Sequence, residues 1–326
     1  MNVLVTGGAG YIGSVMTERL VAQGHQVVVY DSLEYGHREA VDPGAIFIQG
    51  LIQDKAKLIQ TIRTHNIQAV IHMAAYAMVG ESVKHPQKYF SNNFIGGLTL
   101  LDAMLATEVK KIVFSSTCAT YGMPEKMPIT EDTPQMPVNP YGESKLAFER
   151  ALKWYDEAYG IRFACMRYFN AAGASQRFGE DHTPESHIIP NVLRVALGQT
   201  SHVNIFGEDY PTPDGTCIRD YVHIIDLAEA HILALKVIEE KSRIYNLGFS
   251  NGYSVAEVVE MARQVTGRRI PTEHAPRRPG DPPILIANSD KAALELGWMP
   301  QHSELDQIIE SAWQWHLSHP YGYQES

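Results

Sequence analysis

Through the first half of the chain, short runs of β-branched and apolar residues alternate with stretches whose apolar side chains recur at three- and four-residue steps. Residues 3–6, 26–30, 46–49, 69–73, 112–115 and 162–168 read as strands and the segments between them as helices, the order expected of βαβ units and a parallel sheet. Ile12, Val15, Met16 and Leu20 put one apolar stripe on the first helix, and Gly24 supplies its stop. After about residue 170 the texture changes: loops rich in Pro, Gly and His at 173–190 and 207–215 separate helical stretches at 225–240 and 254–266. The pattern predicts an α/β protein with a doubly wound parallel sheet over residues 1–170 and a smaller lobe, residues 171–326, for the substrate. A segment near 215–250, including the strand-like 242–247, is expected to return to the first domain.

Composition narrows the function classes. The chain has 326 residues, 44% of them hydrophobic and 20% charged, enough apolar side chain for a sizeable core. Its 27 Lys and Arg against 37 Asp and Glu leave a formal charge of −10 with no basic run, which argues against nucleic acid as a partner. No apolar stretch reaches the roughly 18 residues of a membrane span, and Met1 runs directly into a strand-like segment, so no membrane association or export is expected. Three isolated cysteines, Cys118, Cys165 and Cys217, suit a reducing cytoplasm. His182 and His187, with Glu180 and Asp181 nearby, match no metal-ligand spacing, so no metal is expected and that loop reads as solvated.

The chemistry-bearing features lie at strand ends. Thr6-Gly7-Gly8-Ala9-Gly10-Tyr11-Ile12-Gly13 follows the first strand and opens the first helix, and Gly8, Gly10 and Gly13 satisfy G-x-G-x-x-G. Such a turn lets backbone amides approach a pyrophosphate at a helix N-terminus, which predicts a Rossmann-like dinucleotide site. Asp31 closes the second strand 18 positions after Gly13, where a carboxylate accepts the ribose hydroxyls of NAD and repels a 2′-phosphate. Asn139 and Pro140 are suited to start a helix on which Tyr141 and Lys145 share one face. A tyrosine beside an ammonium becomes a usable base. Thr117, at the carboxyl end of another strand, is placed to hydrogen-bond a substrate oxygen.

In this order these features resemble the extended short-chain dehydrogenase/reductase superfamily. Gly80-Glu81-Ser82-Val83, Arg167-Tyr168-Phe169-Asn170, the run from Pro211 to His223 and Arg277-Arg278-Pro279-Gly280-Asp281 narrow the resemblance, over essentially the whole chain, to the UDP-glucose 4-epimerase family. The resemblance implies that Tyr141 takes the proton from the sugar 4-hydroxyl while C4 delivers hydride to tightly held NAD. The 4-keto sugar then turns over and receives the hydride on its other face. It assigns catalysis to Tyr141, Lys145 and Thr117. It assigns cofactor contacts to Gly7, Gly10, Tyr11, Ile12, Gly13, Asp31, Ser32, Leu51, Ile52, Met73, Ala74, Ala75, Asn92, Ser115, Tyr168 and Phe169, together with Tyr141 and Lys145. The UDP-sugar substrate falls to Thr117, Asn170, His187, Asn204, Ile205, Phe206, Arg219, Arg278, Asp281 and Leu285. With two arginines for the diphosphate, the pocket is expected to carry the opposite sign to the acidic exterior.

The chain departs from the family pattern at Leu51, where an aspartate commonly contacts adenine, at Ala77, where some relatives have lysine, and at His187, where asparagine is common. Leu285 is smaller than the tyrosine of strict glucose/galactose enzymes, which implies that UDP-N-acetylglucosamine is also accepted. A 4,6-dehydratase needs an acid pair after Thr117, but Cys118 and Ala119 stand there. Epimerases of UDP-pentoses or UDP-uronates share the same core and stay open, and a non-catalytic NAD-binding regulator has no need of a base. Helical stretches at 86–107 and 139–159 carry Phe90, Leu98, Leu101, Phe148, Leu152 and Trp154, and family practice implies a homodimer through them.

Overall fold

The computed structural model describes residues 1–278 and 280–323. Six parallel strands follow the predicted runs: β1 (Asn2–Thr6), β2 (Gln26–Asp31), β3 (Ile46–Gln49), β4 (Ala69–His72), β5 (Lys111–Thr117) and β6 (Arg162–Tyr168). From the later half come β7 (Asn170–Ala172), β8 (Val203–Phe206), β9 (Ile218–His223), β10 (Arg243–Leu247), β11 (Gly252–Ser254), β12 (Thr272–Ala275) and β13 (Ile284–Leu285). The main sheet runs β10-β6-β5-β4-β1-β2-β3. Winding proceeds outward from β1 to β3, then reverses through β4, and such a reversal leaves a crevice at the carboxyl ends of the central strands.

The residues of β1 explain why this sheet is central. Val3, Leu4 and Val5 are fully buried, Val3 and Val5 against the helices Tyr11–Ala22 and Ile224–Val237, Leu4 on the opposite face with Phe114 and Phe148. A strand apolar on both faces is stable only between two helical layers. The second lobe has its own core around Val192, Leu193, Val258, Ile308 and Trp313. Its small sheets place β9 between β11 and β13 with β7 alongside, while β8 pairs with β12.

The stretch at 86–107 is not one helix. An α-turn at Pro86–Tyr89 passes into a π-helical segment, Phe90–Gly96, before regular helix resumes at Gly97–Ala106. The wider turn carries Asn93 inward, where its side chain accepts from the Tyr76 amide at 2.9 Å and donates to the Tyr76 carbonyl and to Ser144 Oγ. Of the apolar residues expected at a surplus face, Leu101, Phe148 and Leu152 are fully buried in the sheet core, whereas Trp154 is 69% exposed.

Four histidines are folded in as neutral groups. Burial lowers His72 to about 3 and His223, His231 and His316 to about 4. Below the ordinary imidazole value the unfolded chain takes up protons that the folded chain refuses, so stability falls as pH drops from 6.5. Asp220, raised by burial to about 7, acts in the opposite direction because the folded carboxyl binds its proton first. The net expectation is a loss of roughly 3 kcal/mol, or roughly 4 °C in melting temperature, between pH 6.5 and 5.5. A flat melting temperature across that interval contradicts neutral burial.

Candidate active site

One cavity of about 1860 Å³ opens at the carboxyl edge of the main sheet and continues between the lobes. That exceeds the roughly 300–1,000 Å³ of a single small-ligand pocket and has room for two ligands side by side. Its floor is the glycine turn. Gly7 holds φ +75, and a Cβ there would meet the Ala74 amide nitrogen at 2.6 Å; a Cβ on Gly13 would lie 2.1 Å from the Gly7 carbonyl. Gly10 is the N-cap of the helix Tyr11–Ala22. Gly7, Gly10 and Gly13 line the cavity, whereas Gly8 packs on Val29. The working spacing is therefore 7, 10 and 13, a bare cradle of backbone amides at a helix start that fits a pyrophosphate.

Asp31 stands at the end of β2 with Oδ2 accepting the Ala9 amide at 3.0 Å and Oδ1 that of Leu33 at 2.9 Å. Burial raises its pKa, and the two amides act against that shift. Its carboxylate edges the cavity with Ser32, Leu51, Ile52, Met73, Ala74, Ala75, Ala77 and Asn92. The Leu51 side chain is 59% exposed at this rim and offers no polar group, while its carbonyl accepts from Tyr30 Oη.

The helix Pro140–Tyr159 begins as the sequence predicts, with Asn139 Oδ1 accepting the Gly142 amide at 2.9 Å and Pro140 in the first turn. It carries Tyr141 and Lys145 into the middle of the cavity, where they are 8% and 3% exposed. Burial pushes the Tyr141 phenol well up, the Tyr168 phenol adds to the shift, and a hydrogen bond with Thr117 acts downward. Burial brings Lys145 down to about 7. Its Nζ donates to the Ser115 carbonyl at 2.7 Å and lies 4.8 Å from the centre of the Phe114 ring. The neighbour that eases deprotonation of Tyr141 is thus the Thr117 hydroxyl, while the Lys145 nitrogen is fixed on the Ser115 carbonyl.

Tyr11, Tyr168 and Phe169 line the same region, and Tyr11 Oη donates to the Gly173 carbonyl. Ser115 does not face the cavity. Its hydroxyl pairs with His231 Nε2 at 3.0 Å, so only its carbonyl serves the site, through Lys145. Cys118 borders the cavity, but burial pushes its thiol up to about 12, which suits packing rather than nucleophilic attack.

The far half of the cavity is built by the second lobe from Asn170, His187, Asn204, Phe206, Arg219, Arg278, Asp281 and Leu285. Ile205 is a correction: strand alternation turns it into the core at 5% exposure while Asn204 and Phe206 face the cavity. Alternation also separates Arg219, which lines the cavity, from Asp220, which accepts the amides of Phe249, Ser250 and Ala287 and knits the lobe together. Arg219 pairs with Asp281, and Arg278 lies 4.2 Å over the Phe206 ring. Arg277 turns away to Asp209 and Tyr210, and Pro279 lies outside the described residues.

The expected sign reversal holds only locally. Asp31, Glu34, Glu81, Glu180, Glu185 and Asp281 border the cavity against Lys84, Lys145, Arg219 and Arg278, so its lining is of mixed sign. The histidine loop is solvated only in part, with the His187 side chain 54% exposed and its two acids buried. Glu180 and Glu185 side chains are 5% and 1% exposed, and His187 Nδ1 lies 2.8 Å from Glu185 Oε1. Burial disfavours charge on His187, but the Glu185 hydrogen bond and the Glu180 charge outweigh it and push the imidazole up to about 9. Its nitrogen and the Glu180 and Glu185 oxygens cluster within 4.8 Å of one another at the cavity wall.

Sequence reasoning missed Glu34, Tyr35, Tyr76 and Glu185 as cavity residues; only their nearness to recognised motifs could have drawn attention to them.

Residues 3–248 match the family model for the NAD dependent epimerase/dehydratase family. The chain is 55% identical to a UDP-glucose 4-epimerase of Halalkalibacterium halodurans, covering 99% of this chain and 98% of that one. It is similar to the crystal structure of UDP-glucose 4-epimerase from Brucella ovis in complex with NAD, with a TM-score of 0.93, 47% identity and coverage of 96% and 97%. It is similar also to UDP-glucose 4-epimerase from Bifidobacterium longum in complex with NAD+ and UDP, with a TM-score of 0.95, 37% identity and coverage of 99% and 100%.

Proposed function

The chain belongs to the NAD dependent epimerase/dehydratase family, and on that premise we propose that it is an NAD-dependent isomerase interconverting UDP-galactose and UDP-glucose at C4. The observation that carries this reading is one cavity joining a glycine cradle and a ribose-binding acid to a buried Tyr141, with two arginines beyond. NAD, when bound, would supply reversible hydride exchange at C4 of the sugar, a chemistry with no net redox change over the cycle. Gly7, Gly10 and Gly13 would hold its pyrophosphate and Asp31 a ribose.

The remaining roles follow from the chain's own groups. Tyr141 Oη takes the proton of the 4-hydroxyl and later gives it back. Thr117 stabilises the ionised phenol by hydrogen bonding, and Lys145 is held one helical turn away by the Ser115 carbonyl. Arg219 and Arg278 bind the diphosphate as charged donor forks, and Asp281 orients Arg219 as well as accepting from a ribose hydroxyl. With the nucleotide held at that end, the sugar meets mainly apolar neighbours such as Leu285 and Phe169 and is free to turn.

Leu285 lies at the cavity wall beside Phe169 and Cys118, and the volume a larger ring would take there admits a 2-acetamido group. Incubation of the pure chain with UDP-galactose and with UDP-N-acetylglucosamine is expected to yield the C4 epimer of each, the second more slowly. Leu285→Tyr is expected to depress the acetamido reaction selectively; an unchanged ratio removes that specificity. Failure to form UDP-glucose from UDP-galactose removes the main reading, and turnover of a UDP-pentose or UDP-uronate in its place identifies the alternative.

A homodimer is part of the proposal. Ile95, Trp154 and Tyr159 are 54%, 69% and 53% exposed on the π-helical segment Phe90–Gly96 and the helix Pro140–Tyr159. Sedimentation as a monomer at micromolar concentration rejects it. Among the described residues no helix is long and apolar enough to cross a membrane. A cytoplasmic enzyme fits that finding and the three free cysteines.

A further inference from the structure

The loop after β2 and the segment after β4 are joined by side chains that the catalytic roles leave unused. Tyr76 Oη donates to Glu34 Oε2 at 2.5 Å, and Lys88 Nζ donates to Tyr35 Oη at 2.8 Å and to Glu81 Oε1 at 2.9 Å. The same ammonium lies 4.2 Å from the centre of the Tyr76 ring and 5.0 Å from that of Tyr35. The two rings themselves meet edge to face at 5.7 Å. This is a cation enclosed by two aromatic faces and a carboxylate, a mutually reinforcing arrangement rather than a lone surface pair.

Sheet order gives the cluster its meaning. β1 lies between β2 and β4, and its carboxyl end carries the glycine turn. A link from the loop of one flanking strand to the segment after the other must pass over that turn. Glu34, Tyr35, Tyr76 and Glu81 all line the cavity. One side of the link is firmly seated, because Asn93 binds both backbone groups of Tyr76 and reaches Ser144 on the helix that carries Tyr141. The other side, Glu34 and Tyr35, belongs to a loop.

We propose that Glu34, Tyr35, Tyr76, Glu81 and Lys88 form a latch across the mouth of the dinucleotide cleft that retains NAD through the reaction cycle. The need for it rests on the epimerase reading: a cofactor lost after the first half-reaction leaves a ketone and an enzyme unable to finish. The latch residues position and confine the cofactor; none of them exchanges a proton with the sugar.

Tyr76→Phe removes one hydroxyl and keeps the ring, and Lys88→Met removes the cation and keeps the stem. In the purified full chain, the NAD content per protomer after dialysis and the rate of exchange against isotope-labelled NAD are the measurements. Each substitution is expected to speed exchange by about ten-fold, the effect of one charge-assisted hydrogen bond, and the pair by more. Lost turnover is expected to recover when NAD is added back. Melting temperature in saturating NAD reports whether the fold persists, and if Lys88→Met unfolds, Tyr76→Phe alone decides. Folded variants whose exchange matches the parent overturn the latch. A parent that holds NAD in a latch-dependent way but leaves UDP-galactose unchanged overturns the substrate reading and not the latch.

Discussion

Tyr141→Phe is expected to lower kcat for UDP-galactose by between about 10² and 10⁴-fold while NAD stays bound and the fold is kept. The ring is 8% exposed, so phenylalanine retains its packing and loses only the hydroxyl. The size of the effect follows from the environment of that oxygen: burial disfavours the phenolate, and a hydrogen bond with Thr117 eases its formation. Thr117→Val is therefore expected to cost less than Tyr141→Phe and to move the rising limb of the pH–rate profile to higher pH, because removing the downward influence raises the pKa of the base. Steady-state kinetics across pH, with bound NAD measured on the same samples, checks both. Turnover of Tyr141→Phe within about ten-fold of the parent rejects Tyr141 as the base.

Glu149→Gln is expected to destabilise the protein by about 3–5 kcal/mol, the cost of leaving a buried guanidinium without its counter-charge. Arg167 and Glu149 side chains are 2% and 1% exposed and meet at 2.6 Å. Arg167 also donates to Tyr121 Oη at 2.8 Å, and Glu149 accepts from Ser116 and from Gln135. Spread over a chain of 326 residues, the loss corresponds to roughly 6 °C in melting temperature. Replacing both partners, Arg167→Met with Glu149→Leu, is expected to cost less than Glu149→Gln alone, since no charge is then stranded. Thermal melts of the single and double variants measure this, and a Glu149→Gln change below about 1 kcal/mol removes the argument. Arg167 opens a motif that resembles a functional signature, yet its own task is to bind β6 to the helix Pro140–Tyr159.

What was legible in the sequence is local chemistry. Asn139 and Pro140 start a helix because a side-chain acceptor and a fixed φ act on the residues beside them, and the Tyr141–Lys145 face follows from the helical period. The strand runs were legible because a sheet covered on both faces demands continuous apolar residues. Ser115 and Ile205 were misplaced for the complementary reason. Each lies within two residues of another assigned site residue, but the pleat turns Ile205 into the core and His231, 116 positions away, pairs with the Ser115 hydroxyl.

The sequence by itself therefore determined the βαβ order, the glycine cradle, an aspartate at the end of β2 and the tyrosine and lysine on one helix face. All of these depend on backbone geometry within a few residues. Tertiary structure alone decided which acid answers Arg219 and how Glu34, Tyr35, Tyr76 and Lys88 close over the turn. Those outcomes depend on strand order and on pairings between distant segments. A Coulomb or packing interaction is set by distance in space, and no local pattern encodes it.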